Sequence, residues 1–498
     1  MNRKYRKRKL PKYFFIISLA LFLFVGIGYS VINSNLTMQG NVVRKATSWS
    51  IGFSNPVFDT GSKTSPTPTI TNGTTMTMNV NLTNPGDIYA FTVDLTNNGS
   101  VPALINTLNI TELTEEQKVY LRWKVEYEDE SSLAVGDLLK AGETKKVHIY
   151  LEYKKLRATD LYPSSNVNIN LTVQANFYLP EETFNTVTIT KNGSTKLVQV
   201  SNLEQETTLD DFPIETADKV IACNNGVEPS TDTNNKIVLS KVKQDATCRI
   251  ETSLASAVTN CGTVDSNLTL LNDDTNTSKI TIGETQIINI DINGKTSYYN
   301  VASEYAYITN SGKLAIKDTK GTGKIQSLRR TILCNNNSSS LTIKSSTIER
   351  VGDGSGAGYA LKLDGNVYIK NSIIKTTDSW TMGFNNNSSA NVIIDSSKIV
   401  SSSCSFNTLA DNTLCGNITI KNSEISPYIS NATNGRVNIY LCNNVFKKSN
   451  TENDFHEIRS KNNYIYYSNN NIFISGNNNP SIAQPNSNFI RSDIACAE

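Results

Sequence analysis

The sequence is poor in metal-binding side chains and in charge. Its 498 residues include only two histidines, His148 and His456, and none of its eight cysteines form a CxxC pair. Because zinc sites need several closely spaced His and Cys ligands, we expect no metal and no cofactor. Charged residues make up only 18% of the chain, and Asn, Ser and Thr dominate the polar positions. This composition favours an all-β fold with many turns over helical bundles.

Basic charge is concentrated in residues 1–12, a cytoplasmic n-region with seven Lys and Arg and no acid. The whole chain has a net charge of only +2, so the remainder is net acidic and nucleic acid is not an expected partner. The apolar segment 13–32 follows. It predicts export, either as a signal peptide cleaved near Ser30 or as a helical membrane anchor with a cytoplasmic N-terminus. In both cases the rest of the chain is extracellular or on the cell surface.

Residues 33–180 alternate apolar and polar side chains in at least six segments, for example 76–82, 89–95 and 167–173. Alternation with a period of two is typical of strands that bury one face. Several such strands separated by turn residues predict a β-sandwich.

Three stretches of this region resemble the exported camelysin/TasA-type proteins of Gram-positive bacteria: GIGYS at 26–30, then NLTMQGNVVRKATSWSIGF, and NPGDIYAFTVDLTNNGSVPALI. The resemblance covers roughly residues 10–180. It implies a sandwich exported by a dedicated signal peptidase and, in fibre-forming members, an N-terminal strand that completes a neighbouring subunit. Residues 31–43 would here either pair with another copy or fold back onto their own sandwich. The peptidase activity once attached to the camelysin name is not expected, because no HExxH motif is present.

Residues 181–260 predict a small β domain that acts as a spacer. Cys223 and Cys248 bound a polar loop between apolar segments within it, and Cys404 and Cys415 bound another farther along the chain. Disulfides persist outside the cell, so these are the two favoured pairs. A bridge between the first two would stabilise a domain with little core of its own.

From 261 to 490 one short motif recurs, as LTIKSSTI at 341–348, VYIKNSII at 367–374, VIIDSSKI at 392–399 and ITIKNSEI at 418–425. The units begin at Ile290, Leu314, Leu341, Val367, Val392, Ile418, Val437 and Ile465. This period predicts a right-handed parallel β-helix with one coil per unit, and residues 491–498 form a tail. The small polar residues at each bend predict hydrogen bonds to coils ~4.8 Å away. Stretches such as IDINGKT and LTIKSSTI resemble the β-helix repeats of bacterial surface and adhesin-like proteins.

Two classes of function follow from this architecture. We expect an exported bacterial surface protein with an adhesive or structural role, such as a biofilm matrix component, and without catalytic activity. The alternative is a polysaccharide lyase or glycoside hydrolase that acts on extracellular polysaccharide. Such an enzyme needs converging carboxylates, for which the weak candidates are Asp353 and Asp378, with Arg350 and Lys375 nearby.

Two surface features are candidates for ligand binding. Lys344, Lys370 and Lys421, interrupted by Asp395, occupy one outward strand position, as a solvated face or as a basic stripe for anionic glycans. Tyr359, Trp380 and Phe384 are expected in loops after their coils and are candidate glycan contacts. The expected partners are therefore an extracellular glycan or a host or matrix surface, another copy through the N-terminal strand, and the membrane if residues 13–32 are uncleaved.

Overall fold

The computed structural model describes residues 50–64, 66–156, 162–163, 166–302, 306–352, 358–377, 380–384, 390–401, 406–407, 415–426, 429–430, 436–447, 464–468, 471–474, 489–491 and 493–497. The fold is all-β, and its strands belong to one compact unit, residues 48–498. None of the described helices has the length and apolar character needed to cross a membrane. The predicted signal or anchor segment, 13–32, lies outside the described residues.

The first part of the described chain forms two antiparallel sheets, called the two-sheet unit below. Its elements are β1 (Ile51–Phe58), β2 (Thr69–Thr71), β3 (Thr75–Leu82), β4 (Ile88–Asn97), β5 (Ala103–Ile110), α1 (Glu115–Tyr120), β6 (Leu121–Tyr127), β7 (Leu138–Leu139), β8 (Thr144–Tyr153) and β9 (Val167–Tyr178). The sheet orders are β1-β4-β8-β6 and β2-β3-β9-β5-β7. Alternate residues of the strands, such as Met76, Met78 and Val80, enter one shared hydrophobic cluster. The alternation in the sequence therefore places apolar side chains of both sheets in one shared core.

The next elements form a smaller unit that continues directly into the solenoid. They are β10 (Phe184–Lys191), β11 (Ser194–Ser201), β12 (Glu206–Thr208), β13 (Val220–Asn224), β14 (Glu228–Thr231), β15 (Ile237–Ser240), β16 (Ala246–Glu251) and α2 (Leu254–Asn260). Strand β13 pairs with β16 and also with the first solenoid strand, so one sheet crosses the predicted boundary at 260. Leu254 and Val258 of α2 join the solenoid core. The segment, called the capping unit below, therefore shares a sheet with the solenoid and also has an apolar cluster of its own. Its role as a spacer stays a prediction.

The solenoid consists of three parallel sheets, called sheets 1, 2 and 3. Sheet 1 continues from β13 with β17 (Ser266–Leu270), β20 (Ile287–Asp291), β23 (Lys313–Lys317), β26 (Ser340–Lys344), β29 (Asn366–Lys370), β32 (Asn391–Asp395), β35 (Cys415–Lys421), β38 (Arg436–Cys442), β40 (Tyr464–Tyr467) and β42 (Phe489–Arg491). Sheet 2 contains β18 (Asp274–Asn276), β21 (Thr296–Tyr299), β24 (Lys324–Ser327), β27 (Thr347–Arg350), β30 (Ile373–Thr376), β33 (Lys398–Val400), β36 (Glu424–Ser426), β39 (Val445–Lys447) and β41 (Ile472–Ile474). Sheet 3 contains β19 (Ile280–Ile282), β22 (Ile308–Asn310), β25 (Ile332–Cys334), β28 (Tyr359–Leu363), β31 (Trp380–Phe384), β34 (Phe406–Asn407) and β37 (Ile429–Ser430). A 3-10 helix, Asp493–Cys496, follows β42. The parallel β-solenoid is confirmed, and its right-handed coiling stays a prediction.

Identical apolar positions of successive coils stack inside the solenoid. Ile343, Ile369 and Ile394 are paired residues of neighbouring sheet 1 strands, and each is fully buried. Two of the predicted unit starts were out of register. Leu314 pairs with Ile288 instead of Ile290, and Ile418 pairs with Ile439 instead of Val437. The coil that contains β38 and β39 is nevertheless part of the ladder, with a shortened spacing of 21 residues between the paired isoleucines.

Five consecutive bends between sheets 1 and 2 each turn at one left-handed residue. Positive φ angles of 49° to 54° occur at Ser345, Asn371, Ser396, Asn422 and Asn443. Non-glycine residues rarely adopt this conformation, and Asn is among the residues that tolerate it best. The sequence repeats Ser or Asn here because the chain must change direction within a single residue.

The residue after each left-handed position links consecutive coils. The backbone N–H of Ser372 donates to Ser397 Oγ (3.1 Å), and the N–H of Ser397 donates to Ser423 Oγ (3.0 Å). Each hydroxyl also donates to the carbonyl two residues before it, as Ser397 Oγ does to Asp395 (2.7 Å). These serines are at most 5% exposed. The bend serines therefore satisfy buried backbone groups that water does not reach.

We expect Ile394→Asp to unfold the solenoid, because an unpaired buried carboxylate costs more than about 3 kcal/mol. Ile393→Asp is the matched control, since the adjacent Ile393 side chain points outward and is half-exposed. Urea unfolding followed by circular dichroism measures both variants. An Ile394→Asp protein as stable as Ile393→Asp would contradict the core assignment.

We also expect Ser397→Ala to lower the free energy of unfolding by about 1–3 kcal/mol, because the Ser372 amide would lose its acceptor in a buried site. Ser396→Gly is the control: its side chain is exposed, and glycine suits its φ of 49°. The control should be at least as stable as the parent. Equal stability of Ser397→Ala and the parent would show that the bend hydrogen bonds contribute nothing.

Candidate functional site

The outer face of sheet 1 carries one row of charged residues across consecutive coils. Strand pairing aligns Lys317, Lys344, Lys370, Asp395 and Lys421 at the last outward position of their strands. The register thus adds Lys317 to the lysines identified from the repeat. We call these five residues the lysine row. Lys421 Nζ lies 3.8 Å from the Asp395 carboxylate.

Glu130 of the two-sheet unit bridges two members of the lysine row. Its carboxylate lies 2.8 Å from Lys344 Nζ and 2.9 Å from Lys370 Nζ. Glu130 sits in the turn after β6, where its backbone N–H donates to the Tyr127 carbonyl and its φ is +64°. Hydrogen bonds from Lys344 and Lys370 lower the pKa of Glu130 from 4.5 to about 2. The basic stripe is therefore partly neutralised by the protein itself, which the repeat pattern did not predict.

Two further contacts fix the two-sheet unit beside this face. Lys243 Nζ lies 2.9 Å from the Asp137 carboxylate, and the Gln205 side chain donates to Glu143 (3.0 Å). Both contacts join the two-sheet unit to the capping unit that precedes the solenoid. They place the Glu130 turn next to the lysine row.

A trough of about 370 Å³ lies along sheet 1 beside Glu228 and Pro229 of β14. Its surface includes Asn267, Asn289, Ala315, Thr342, Lys317 and Lys344. The outward position that follows Thr342 in the ladder is Tyr368, a half-buried residue. Burial raises the pKa of Tyr368. The same pKa is also affected by the charges of four nearby residues, Lys370, Asp395, Lys344 and Glu130. The trough thus combines small polar floor residues, two lysines and, beside them, an aromatic ring.

The structure does not test the predicted catalytic group as a whole. Asp353 and Asp378 lie outside the described residues. Arg350 is fully buried in β27, so it does not line a surface groove. Lys375 Nζ is 3.0 Å from the Glu349 carboxylate, which also lies 3.4 Å from Lys324 Nζ.

Buried aspartates of the solenoid hold backbone turns. Asp318 accepts hydrogen bonds from the backbone N–H groups of Gly294 and Gly323, and Asp291 accepts one from Asn293 (2.8 Å). Asp274 accepts from the first amide of α2 (2.8 Å), and Asp364 accepts from Gly365. Among the described residues, no three His, Cys, Asp or Glu side chains lie close enough together to hold a metal ion. These buried aspartates therefore stabilise turns of the backbone.

The three candidate glycan-contact aromatics lie in strands of sheet 3, and their expected placement in loops was wrong. Tyr359 begins β28 and is 5% exposed, with its ring centroid 5.5 Å from that of the half-buried Trp380. The Tyr359 ring leaves no room for a Cβ on Gly383. Phe384 ends β31. Tyr359 is thus part of the packed wall of the solenoid, and a sugar-stacking role for Trp380 and Phe384 stays a prediction.

Among the described cysteines, one predicted disulfide is present, together with a second that was not predicted. Cys223 and Cys248 are bonded, with Cα atoms 4.1 Å apart on the paired strands β13 and β16. Cys404 lies outside the described residues, so its predicted bond to Cys415 is untested. Cys442, the last residue of β38, is bonded to Cys496 in the 3-10 helix. That bond fixes the predicted tail, 491–498, to sheet 1.

No protein-family model, no curated protein and no solved structure matches this chain. The assignment of the solenoid and of the disulfides therefore rests on the structure alone. The resemblance of residues 10–180 to camelysin/TasA-type proteins gains no support from a family match.

Proposed function

We propose that the protein is an exported bacterial surface protein with a structural or adhesive role and without catalytic activity. The observation that carries this proposal is that the buried carboxylates of the solenoid are engaged in hydrogen bonds and ion pairs. Asp291, Asp318 and Asp364 accept backbone hydrogen bonds, and Glu349 binds two lysines. Carboxylates held in this way are poor general acids or bases, because their oxygens are already engaged in hydrogen bonds or ion pairs. An elongated, regular surface remains as the functional element.

Export is supported by the sequence and by the disulfides. Residues 1–32 have the basic and apolar parts of an exporting segment. The Cys223–Cys248 and Cys442–Cys496 bonds need an oxidising compartment to persist. We place the solenoid on the outer side of the membrane, on the cell surface or in the matrix around it.

Surface labelling of cells tests the proposed export, and an assay of the purified protein tests the proposed lack of catalytic activity. We expect the full chain, tagged after Glu498 and produced in a Gram-positive host, to be labelled by antibody on intact cells, while a variant without residues 13–32 stays inside. We expect the purified protein to release no fragments from acidic or neutral polysaccharides. Depolymerisation that disappears in an Asp353→Asn, Asp378→Asn double variant would support the alternative enzyme and contradict our proposal.

We further propose that residues 31–43 of one copy add a strand to the two-sheet unit of another. In the described structure β6 is the last strand of its sheet, and a cavity of about 670 Å³ lies between it and β5. Leu108, Ile110 and Trp123 line this cavity, and the buried Trp123 Nε1–H has no hydrogen-bond acceptor among the described residues. An added strand would cover apolar side chains, and its carbonyl groups are suitable acceptors.

Size-exclusion chromatography and electron microscopy test the strand proposal. We expect a chain that begins at Val31 to form larger assemblies in a concentration-dependent manner. A chain that begins at Asn41 lacks most of the added strand and should stay monomeric. Two monomeric proteins of equal stability would contradict the proposal, since the segment would then neither assemble subunits nor stabilise the fold.

A further inference from the structure

We propose that the lysine row is a binding site for a carboxylated polysaccharide, and that Glu130 occupies this site as a competing carboxylate of the same chain. This inference rests on the proposed adhesive function and names the class of ligand for it. The site comprises three members of the lysine row, Lys317, Lys344 and Lys370, together with the trough beside them.

The contact with Glu130 shows that the pair Lys344 and Lys370 can hold one carboxylate. One carboxylate lies within 2.9 Å of both Nζ atoms, although the two lysines belong to different coils. Adjacent parallel strands are ~4.8 Å apart, so like charges at this spacing repel unless an anion lies between them. The pair is therefore arranged to hold a carboxylate, and the carboxylate of a bound uronic acid has the same charge and geometry as that of Glu130.

The trough next to Glu130 has room and suitable groups for the rest of the sugar. Its floor presents the amide of Asn289, the methyl of Ala315 and the hydroxyl of Thr342. Lys317 lies one coil before Lys344, is exposed, and has no ion-pair partner among the described residues. A polymer that crosses these coils would meet a lysine on three consecutive coils, and Tyr368 supplies an aromatic ring on the strand of the third lysine, Lys370.

The acidic groups around the trough are already engaged. Glu228 lies 3.1 Å from Lys241 Nζ, and Asp395 pairs with Lys421. Asp291 accepts the amides of Asn293 and Thr319. Repulsion of an incoming polyanion at this face would therefore come mainly from Glu130.

Glu130 is held weakly enough to exchange. Its side chain is 45% exposed, and those of Lys344 and Lys370 are 42% and 31% exposed. Ion pairs between exposed groups contribute about 1 kcal/mol or less, because water and salt screen them. A polymer that offers several carboxylates to neighbouring lysines gains from multivalency, which a single glutamate lacks.

The test measures binding of polygalacturonate to the full chain, purified in detergent, by isothermal titration calorimetry at low salt. We expect Glu130→Gln to raise the affinity by about fivefold, because removal of the competing carboxylate frees both lysines. We expect the Lys317→Gln, Lys344→Gln double variant to lower the affinity at least about tenfold. Lys398→Gln is the control: this lysine pairs with Glu424 on sheet 2 and should leave the affinity unchanged. Melting curves verify that each variant is folded.

Several results would overturn the inference. An unchanged or lower affinity of folded Glu130→Gln would show that Glu130 does not compete for the site. Equal losses in Lys398→Gln and in the double variant would indicate unspecific charge attraction. Equal binding of dextran sulfate and polygalacturonate would refute selection for carboxylates, and binding of neutral dextran would refute the role of charge. If no polymer binds but the protein is displayed on cells and is inactive as an enzyme, this inference fails and the proposed function stands.

Discussion

In five consecutive bends between sheets 1 and 2, the backbone amide that follows the left-handed residue finds its acceptor on the next coil. The N–H of Ser372 depends on Ser397, and that of Ser397 depends on Ser423. A buried amide without a partner costs about 1–3 kcal/mol, so a single coil cannot form stably by itself. The stacked isoleucines also require neighbouring coils, because each side chain is covered by its counterparts on the coils above and below. Stability therefore comes from repetition, and both ends of the stack need closure.

A disulfide lies near each end of the described solenoid. At one end α2 covers the first coil, and the Cys223–Cys248 bond joins the two capping strands β13 and β16. At the other end the Cys442–Cys496 bond fixes the 3-10 helix to β38. The strand register that aligns the core residues of successive coils also aligns their outward residues, so the lysines of the repeat lie in a row. Glu130 and Asp395 compensate that charge, which connects the ladder to the proposed binding site.

The sequence predicts what is local and repeated. The alternating strands, the bend serines and the buried isoleucines follow from a motif of eight residues. Two unit starts, Ile290 and Val437, were misplaced because a shift of two residues along a strand keeps the same face inward. The Glu130 bridge escaped prediction because 214 residues separate Glu130 from Lys344, and no local pattern encodes such a contact. The Cys442–Cys496 bond escaped because spacing alone does not determine pairing over 54 residues.

Hydrogen exchange of the bend amides tests the central claim that consecutive coils satisfy each other's backbone groups. Mass spectrometry of peptides that cover residues 340–426 follows exchange at Ser346, Ser372 and Ser397. If the ladder exists, these amides exchange as slowly as those of the buried sheet 1 strands, and the protection is lost together with that of the strands on global unfolding. Exchange at the rate of exposed loop amides, while the strands stay protected, would contradict the account.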